Sequence, residues 1–197
     1  PISAVARSVV ATAQGEVDAV LFPSAPGAAE WIATARREGV LDDIVQRAHG
    51  RRLLLAAVGP ITAAPLRGAG AEPLIAERGR LGSLVRAVVT HFGGGHAPSL
   101  LTPAGRLELR SSAAVLDGRV IPLSPTSALI LEALFTAAGG VVSRTDLQRS
   151  LPRSSAGDHA LDVAIARTRE ALGCPGLIRT VVKRGYRLDL TTTGTTP

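Results

Sequence analysis

Three apolar runs punctuate the first half of the chain: VDAVLFPS (17–24), LLLAAVGP (53–60) and AEPLIAE (71–77). The first two are almost unbroken. That is the pattern of strands covered on both faces of a parallel sheet. A helical pattern follows each run. Trp31, Ile32 and Ala35 form one stripe, a short helix is expected over 61–66 with its end at Gly68, and Leu81, Leu84, Val85 and Val88 fall at i, i+3, i+4 and i+7. Strands alternating with helices predict an α/β domain with right-handed crossovers.

Past HFGGGHAPSLLTPAG (91–105) the pattern changes. This stretch breaks both periodicities and reads as a linker. The expected organisation is a domain over 1–92, a linker over 93–105, a second domain over 106–190 and a tail over 191–197. His91 and His96 stand without a cysteine or carboxylate nearby and read as solvated linker residues, not metal ligands. LELR (107–110), AAVLDG (113–118) and RVIPLS (119–124) then predict short β segments, with a turn at Asp117-Gly118. Ser124-Pro125 opens a helix as N-cap and first residue. Ile130, Leu131, Leu134 and Phe135 give it a core face, and Gly139-Gly140 ends it. VVSRTDL (141–147) predicts a strand followed by a capping pattern, Ser143 with Asp146. A helix over 158–172 stops at Gly173 and Pro175. RTVVKRGYRLDL (179–190) reads as a hairpin whose tip is Lys183-Arg184-Gly185.

Charge sharpens the second half. The net charge is +6 and the isoelectric point about 11.1. Residues 105–190 carry +4 of it, which favours a polyanionic partner. Cys174 is the only cysteine, so no disulfide framework exists and a reducing cytoplasm is expected. No apolar run approaches the roughly 20 residues that span a bilayer. The chain begins at Pro1 and holds no methionine, so a longer natural protein is expected.

On a helical wheel of DHALDVAIARTREAL (158–172), Leu161, Ile165, Thr168 and Leu172 share one side. His159, Val163, Ala166 and Glu170 lie opposite, flanked by Arg167 and Arg169. The first stripe suits packing. The second suits a DNA major groove, where arginine reads guanine and an apolar group meets the thymine methyl. Arg167 and Val163 are the expected readers, Arg169 flanks them, and His159 sits at the end that enters the groove. Lys183 and Arg184 on the hairpin tip would neutralise phosphates or enter the minor groove, and Thr180 would donate to a phosphate. From these runs, 107–190 resembles the winged-helix output domain of the OmpR/PhoB family. The resemblance implies a four-stranded N-terminal sheet, three of whose strands are legible, then three helices and a wing. It implies that the ring of Tyr186 packs into the core. Thr168 departs from it, standing where the family usually has a core leucine, so looser packing is expected there. Ala164 and Ala166 leave the groove face poor in readers, so each half-site should be weakly specific and two copies should bind together.

A phosphorylated receiver is the obvious partner for such a domain, but it needs an aspartate at a strand end. These strands end in Pro23-Ser24 and Gly59-Pro60. Free N–H groups at the helix starts that follow suit carboxylates or phosphates, at the sheet edge where open α/β folds bind ligands. VDAVLFPSAPGAAEWI and RLLLAAVGPITAAPLRGAGAEPLIAE resemble the C-terminal half of uroporphyrinogen-III synthase, which closes hydroxymethylbilane with inversion of ring D and uses neither metal nor cofactor. The resemblance implies that Ser24 and the turn Gly59, Pro60, Ile61, Thr62 would touch the acidic side chains of a tetrapyrrole. It covers about half of such a synthase, lacking the other domain, the first βα unit and a cleft tyrosine, and assigns no catalytic residue. The whole resembles actinobacterial regulators that fuse the two modules. The expectation is a DNA-binding regulator, homodimeric on DNA, whose synthase-like module senses a tetrapyrrole or related anion or serves for dimerisation, and which controls nitrate or nitrite assimilation or tetrapyrrole-linked genes. The alternative is a true synthase with a DNA-binding appendage.

Overall fold

The computed structural model describes residues 3–94, 97–151 and 158–191. His96 lies outside them. The chain divides into two compact units between Pro98 and Ser99.

The first unit opens with α1 (Ala4–Gln14), which the sequence reading did not anticipate. Its signals are local. The Ser3 hydroxyl accepts from Ala6 N–H, and Gly15 closes the helix in the left-handed conformation at φ 80°. Then come β1 (Ala19–Phe22), α2 (Ala25–Arg37), α3 (Leu41–His49), β2 (Leu54–Ala57), α4 (Pro60–Gly68), β3 (Leu74–Ile75) and α5 (Leu81–Gly93). The three strands form a parallel sheet in the order β1-β2-β3. The run at 71–77 thus contributes only two strand residues. The core gathers Phe22, Trp31, Ile32, Ile44, Leu55 and Leu66, with the Phe22 and Trp31 rings edge to face. Of the stripe expected on α5, Leu84 is fully buried and Val88 packs beside it, whereas Leu81 and Val85 are exposed.

The second unit begins earlier than expected. β4 (Ser99–Thr102) lies within the stretch read as a linker and pairs antiparallel with β5 (Gly105–Arg110). β6 (Ala113–Leu116) and β7 (Arg119–Pro122) complete the sheet in the order β4-β5-β6-β7. The β6–β7 turn is Asp117-Gly118, with φ of 51° and 82°, both left-handed as a two-residue hairpin of this kind requires. Then follow α6 (Pro125–Thr136), α7 (Arg144–Ser150), α8 (Asp158–Leu172), a single 3-10 turn (Pro175–Leu177), β8 (Ile178–Val181) and β9 (Gly185–Leu188). The strand expected at 141–143 is one bridge, Val142 to Tyr186. Leu107, Ile130, Leu131, Leu134, Leu147, Leu161 and Ile165 make the core between sheet and helices.

Candidate nucleic-acid interface

Two caps fix the helices that carry the interface. Ser124 accepts from Ser127 N–H at 3.2 Å at the start of α6. The Ser143 hydroxyl accepts from Asp146 N–H at 3.1 Å and donates to the Asp146 carboxylate at 2.6 Å, which caps the start of α7. On α8, Leu161, Ile165, Thr168 and Leu172 are all buried, as the wheel predicts. His159, Ala166, Arg167 and Glu170 are exposed and Val163 is half-buried.

Thr168 does not loosen the core. Its hydroxyl lies 2.8 Å from the Ala164 carbonyl and 3.0 Å from the Ser127 hydroxyl, which in turn lies 3.0 Å from Ser124 Oγ. A relay from Ser124 through Ser127 and Thr168 to the carbonyl uses each proton once. It satisfies a buried threonine where a leucine would only fill space.

β8 and β9 pair with Val181 opposite Gly185, so the loop is Val182-Lys183-Arg184. Arg184 N–H closes it onto the Val181 carbonyl at 2.9 Å. Lys183 sits at φ 60°, a left-handed conformation costing a residue with a Cβ about 1–2 kcal/mol. Val182, Lys183 and Arg184 are all exposed. β9 is also held from its other side, since Tyr186 and Val142 exchange both backbone hydrogen bonds, at 2.8 and 3.0 Å.

The side chains sort into tied and free. Arg169 gives Nε and a terminal nitrogen to the Ile178 carbonyl, at 3.0 and 2.7 Å, and reaches the Thr180 hydroxyl at 2.9 Å. It therefore binds α8 to the foot of the wing, a role the sequence reading missed because its main partner is a backbone atom. Arg179 pairs with Asp189 at 2.7 Å, and Arg187 approaches the same carboxylate at 3.9 Å. Arg119 donates to the Leu172 carbonyl at 3.3 Å and so caps the end of α8. Arg167, Lys183 and Arg184 form no ion pair among the described residues.

Tyr186 is buried, as expected, but its hydroxyl is engaged as well. It donates to Asp162 Oδ1 at 2.7 Å and accepts from Arg144 at 2.8 Å, while Arg144 and Asp162 pair directly at 2.8 Å. The guanidinium carbons of Arg144 and Arg169 lie 5.7 and 5.9 Å from the ring centre. The hydrogen bond from Arg144, and then that from Tyr186, hold the Asp162 carboxyl below the usual carboxylate range. Burial, and then the hydrogen bond to Asp162, push the Tyr186 phenol up.

In the first unit, Ser24 caps α2 and accepts from Gly27 N–H at 3.3 Å. Gly59 precedes α4 in an extended conformation with no side-chain cap, and Pro60 is its first residue. Both starts follow adjacent strands, because β1 and β2 are in register with Phe22 opposite Ala57. Ser24, Pro60 and Ile61 are exposed, Ile61 at 81%, and Gly59 is half-buried. Thr62 is buried and faces the packed side of α4. Among the described residues no group of histidine, cysteine and carboxylates has the make-up of a metal site, and no helix is long and apolar enough to cross a membrane.

A four-stranded antiparallel sheet, three helices and a terminal two-stranded wing define a winged helix-turn-helix domain. Residues 118–188 match the family model of the transcriptional regulatory protein C-terminal domain, and residues 3–86 match that of uroporphyrinogen-III synthase HemD. The chain thus joins a HemD-like domain to an OmpR/PhoB-type regulatory domain. The response regulator protein PmrA of Pseudomonas aeruginosa is 34% identical over 108 residues, 53% of this chain and 48% of that protein. The chain spans about half the length of this relative. Among solved structures, the Klebsiella pneumoniae RstA DNA-binding domain in complex with the RstA box is 28% identical, covering 46% of this chain and 96% of that one at a TM-score of 0.38. The DNA-binding domain of Escherichia coli CadC is 26% identical, covering 48% and 96% at a TM-score of 0.40.

Proposed function

We propose that the chain is a transcription regulator that binds double-stranded DNA through the outer face of α8 and the β8–β9 wing. The observation carrying this reading is the sorting of charge. Arg119, Arg169, Arg179 and Arg187 are committed to internal partners, while Arg167 on the helix and Lys183 and Arg184 on the wing are exposed and unpaired among the described residues. The left-handed Lys183 adds to it, since glycine would hold that turn with less strain. Arg167 and Val163 read bases, with His159 at the leading end. Lys183 and Arg184 meet phosphates. Thr180 donates to a phosphate from a position set by Arg169, which acts from behind the surface. Two copies on a repeated site offset the few readers on each helix.

The HemD-like unit serves as a sensor or dimerisation module. Ser24 and the Gly59-Pro60-Ile61 turn would meet the carboxylates of a tetrapyrrole or another anionic ligand through helix-start N–H groups, with Thr62 supporting the turn from inside. Nitrate or nitrite assimilation genes are the proposed targets, by analogy of composition with regulators that join the same modules. The match over residues 3–86 also favours a second reading, a synthase carrying a DNA-binding domain. Mixing the full-length protein with hydroxymethylbilane separates the two, because only a synthase yields isomer III in excess of the spontaneously formed isomer I.

The DNA reading is tested by titrating the protein with duplex across a salt series. Arg167→Ala should cost about 1–3 kcal/mol and relax preference at one base pair. Lys183→Ala should weaken binding to all sequences alike and lower the salt slope by about 1. Unchanged binding by both variants would remove the assignment.

A further inference from the structure

An acidic residue stands on the very surface assigned to DNA. Asp162 lies on the exposed side of α8, one turn from both His159 and Ala166. A carboxylate there repels phosphates, and its side chain is 52% exposed. Yet it is the meeting point of three elements. Arg144 from the start of α7 and Tyr186 from β9 converge on one oxygen, Oδ1, at 2.8 and 2.7 Å, and Arg144 also bonds the phenol oxygen at 2.8 Å. The guanidinium groups of Arg144 and Arg169 both lie close to the centre of the Tyr186 ring, at 5.7 and 5.9 Å. Each member therefore has a partner on another element, and the closed triangle spans both helices of the helix-turn-helix and the wing.

Resting on the DNA-binding reading, we propose that Asp162, Tyr186 and Arg144 are positioning residues that lock the wing to the recognition helix, so that Arg167 and the tip residues Lys183 and Arg184 engage one duplex together. The wing needs such a lock. Its strands are four residues each, and a two-stranded hairpin alone is marginal in water. Arg169 holds its first strand, at Ile178 and Thr180. The triangle holds its second, through the side chain that follows the loop. Charge-assisted hydrogen bonds of this length are the stronger kind and fix direction as well as distance.

The lock makes a prediction opposite in sign to simple electrostatics. Asp162→Ala removes a negative charge from the interface, so charge alone predicts tighter binding. Loss of the lock predicts weaker binding, by about tenfold if one charge-assisted bond's worth of positioning is lost. The measurement is fluorescence anisotropy of a labelled random-sequence duplex with the whole chain, repeated over a potassium chloride series. Tyr186→Phe, which keeps the ring, should show the same loss. Either change should reduce the salt slope by up to about 2, the two wing cations. Placed in a Lys183→Ala/Arg184→Ala background, either should add little, because the contacts it positions are already gone. Tighter binding by Asp162→Ala, or losses that add fully to that of the wing variant, would overturn the proposal while the effects of Arg167→Ala and Lys183→Ala keep the DNA reading standing. If those two leave binding unchanged, the DNA reading falls and takes the lock with it. Asp162 is exposed and its replacement spares the core, so the test stands even if Tyr186→Phe folds poorly.

Discussion

Thr168 is a polar residue in the packed face of α8, and the structure gives its hydroxyl two partners. The threonine hydroxyl needs an acceptor once buried, and Ala164 O supplies it within the same helix. Ser127 then links that helix to α6. Thr168→Val keeps the shape but removes the bond between Thr168 and Ser127, leaving Ser127 with Ser124 alone, so it should cost about 1 kcal/mol in urea unfolding of the second unit. Adding Ser127→Ala should cost less than that variant does alone in the native chain, because both changes remove the same bond. A sequence shows the buried position through its period. It does not show the partner, which lies 41 residues away. Arg169 carries the same lesson. Its charge and its flanking place on the wheel fit a DNA contact, and only folding brings the Ile178 carbonyl to its guanidinium.

At the scale of elements, the wing is set by one glycine. Gly185 has φ 137°, outside the range of ordinary residues, and a Cβ there would collide with the Val142 carbonyl oxygen. Gly185→Ala should cost roughly 2 kcal/mol or more, break the Val142–Tyr186 bridge and abolish duplex binding. Amide exchange would show the loss as faster exchange at Tyr186 and Val142, with α6 still protected. Most elements were legible because each announces itself locally: Ser124-Pro125 and the Ser143 cap for helix starts, Asp117-Gly118 for a hairpin. α8 was read to its observed bounds. β4 was not read, since SLLT is four residues between glycine- and proline-rich stretches and owes its strand form to pairing with β5. The strand at 71–77 was read too long because apolar runs mark burial, not pairing.

At the scale of the whole chain, each unit buries its own core: Phe22, Trp31 and Ile44 in the first, Leu131, Leu134 and Leu147 in the second. Two cores predict two separable transitions in calorimetry. Leu134→Ala, at a fully buried site, should destabilise the second by about 2–5 kcal/mol and leave the first in place, and Ile44→Ala should do the reverse. A single transition shifted alike by both would mean that the units melt as one.

The division of labour around α8 has a consequence for how such a protein changes over generations. Residues 161, 165, 168 and 172 hold the helix down, and Arg169 holds the wing. The side chains at positions 159, 163, 166 and 167 make no hydrogen bond or ion pair among the described residues. On the proposed DNA-binding reading, substitution at those four would change operator preference while the scaffold stays intact. If the DNA-binding reading holds, a few point changes would reassign such a chain to other genes, its address written apart from its architecture.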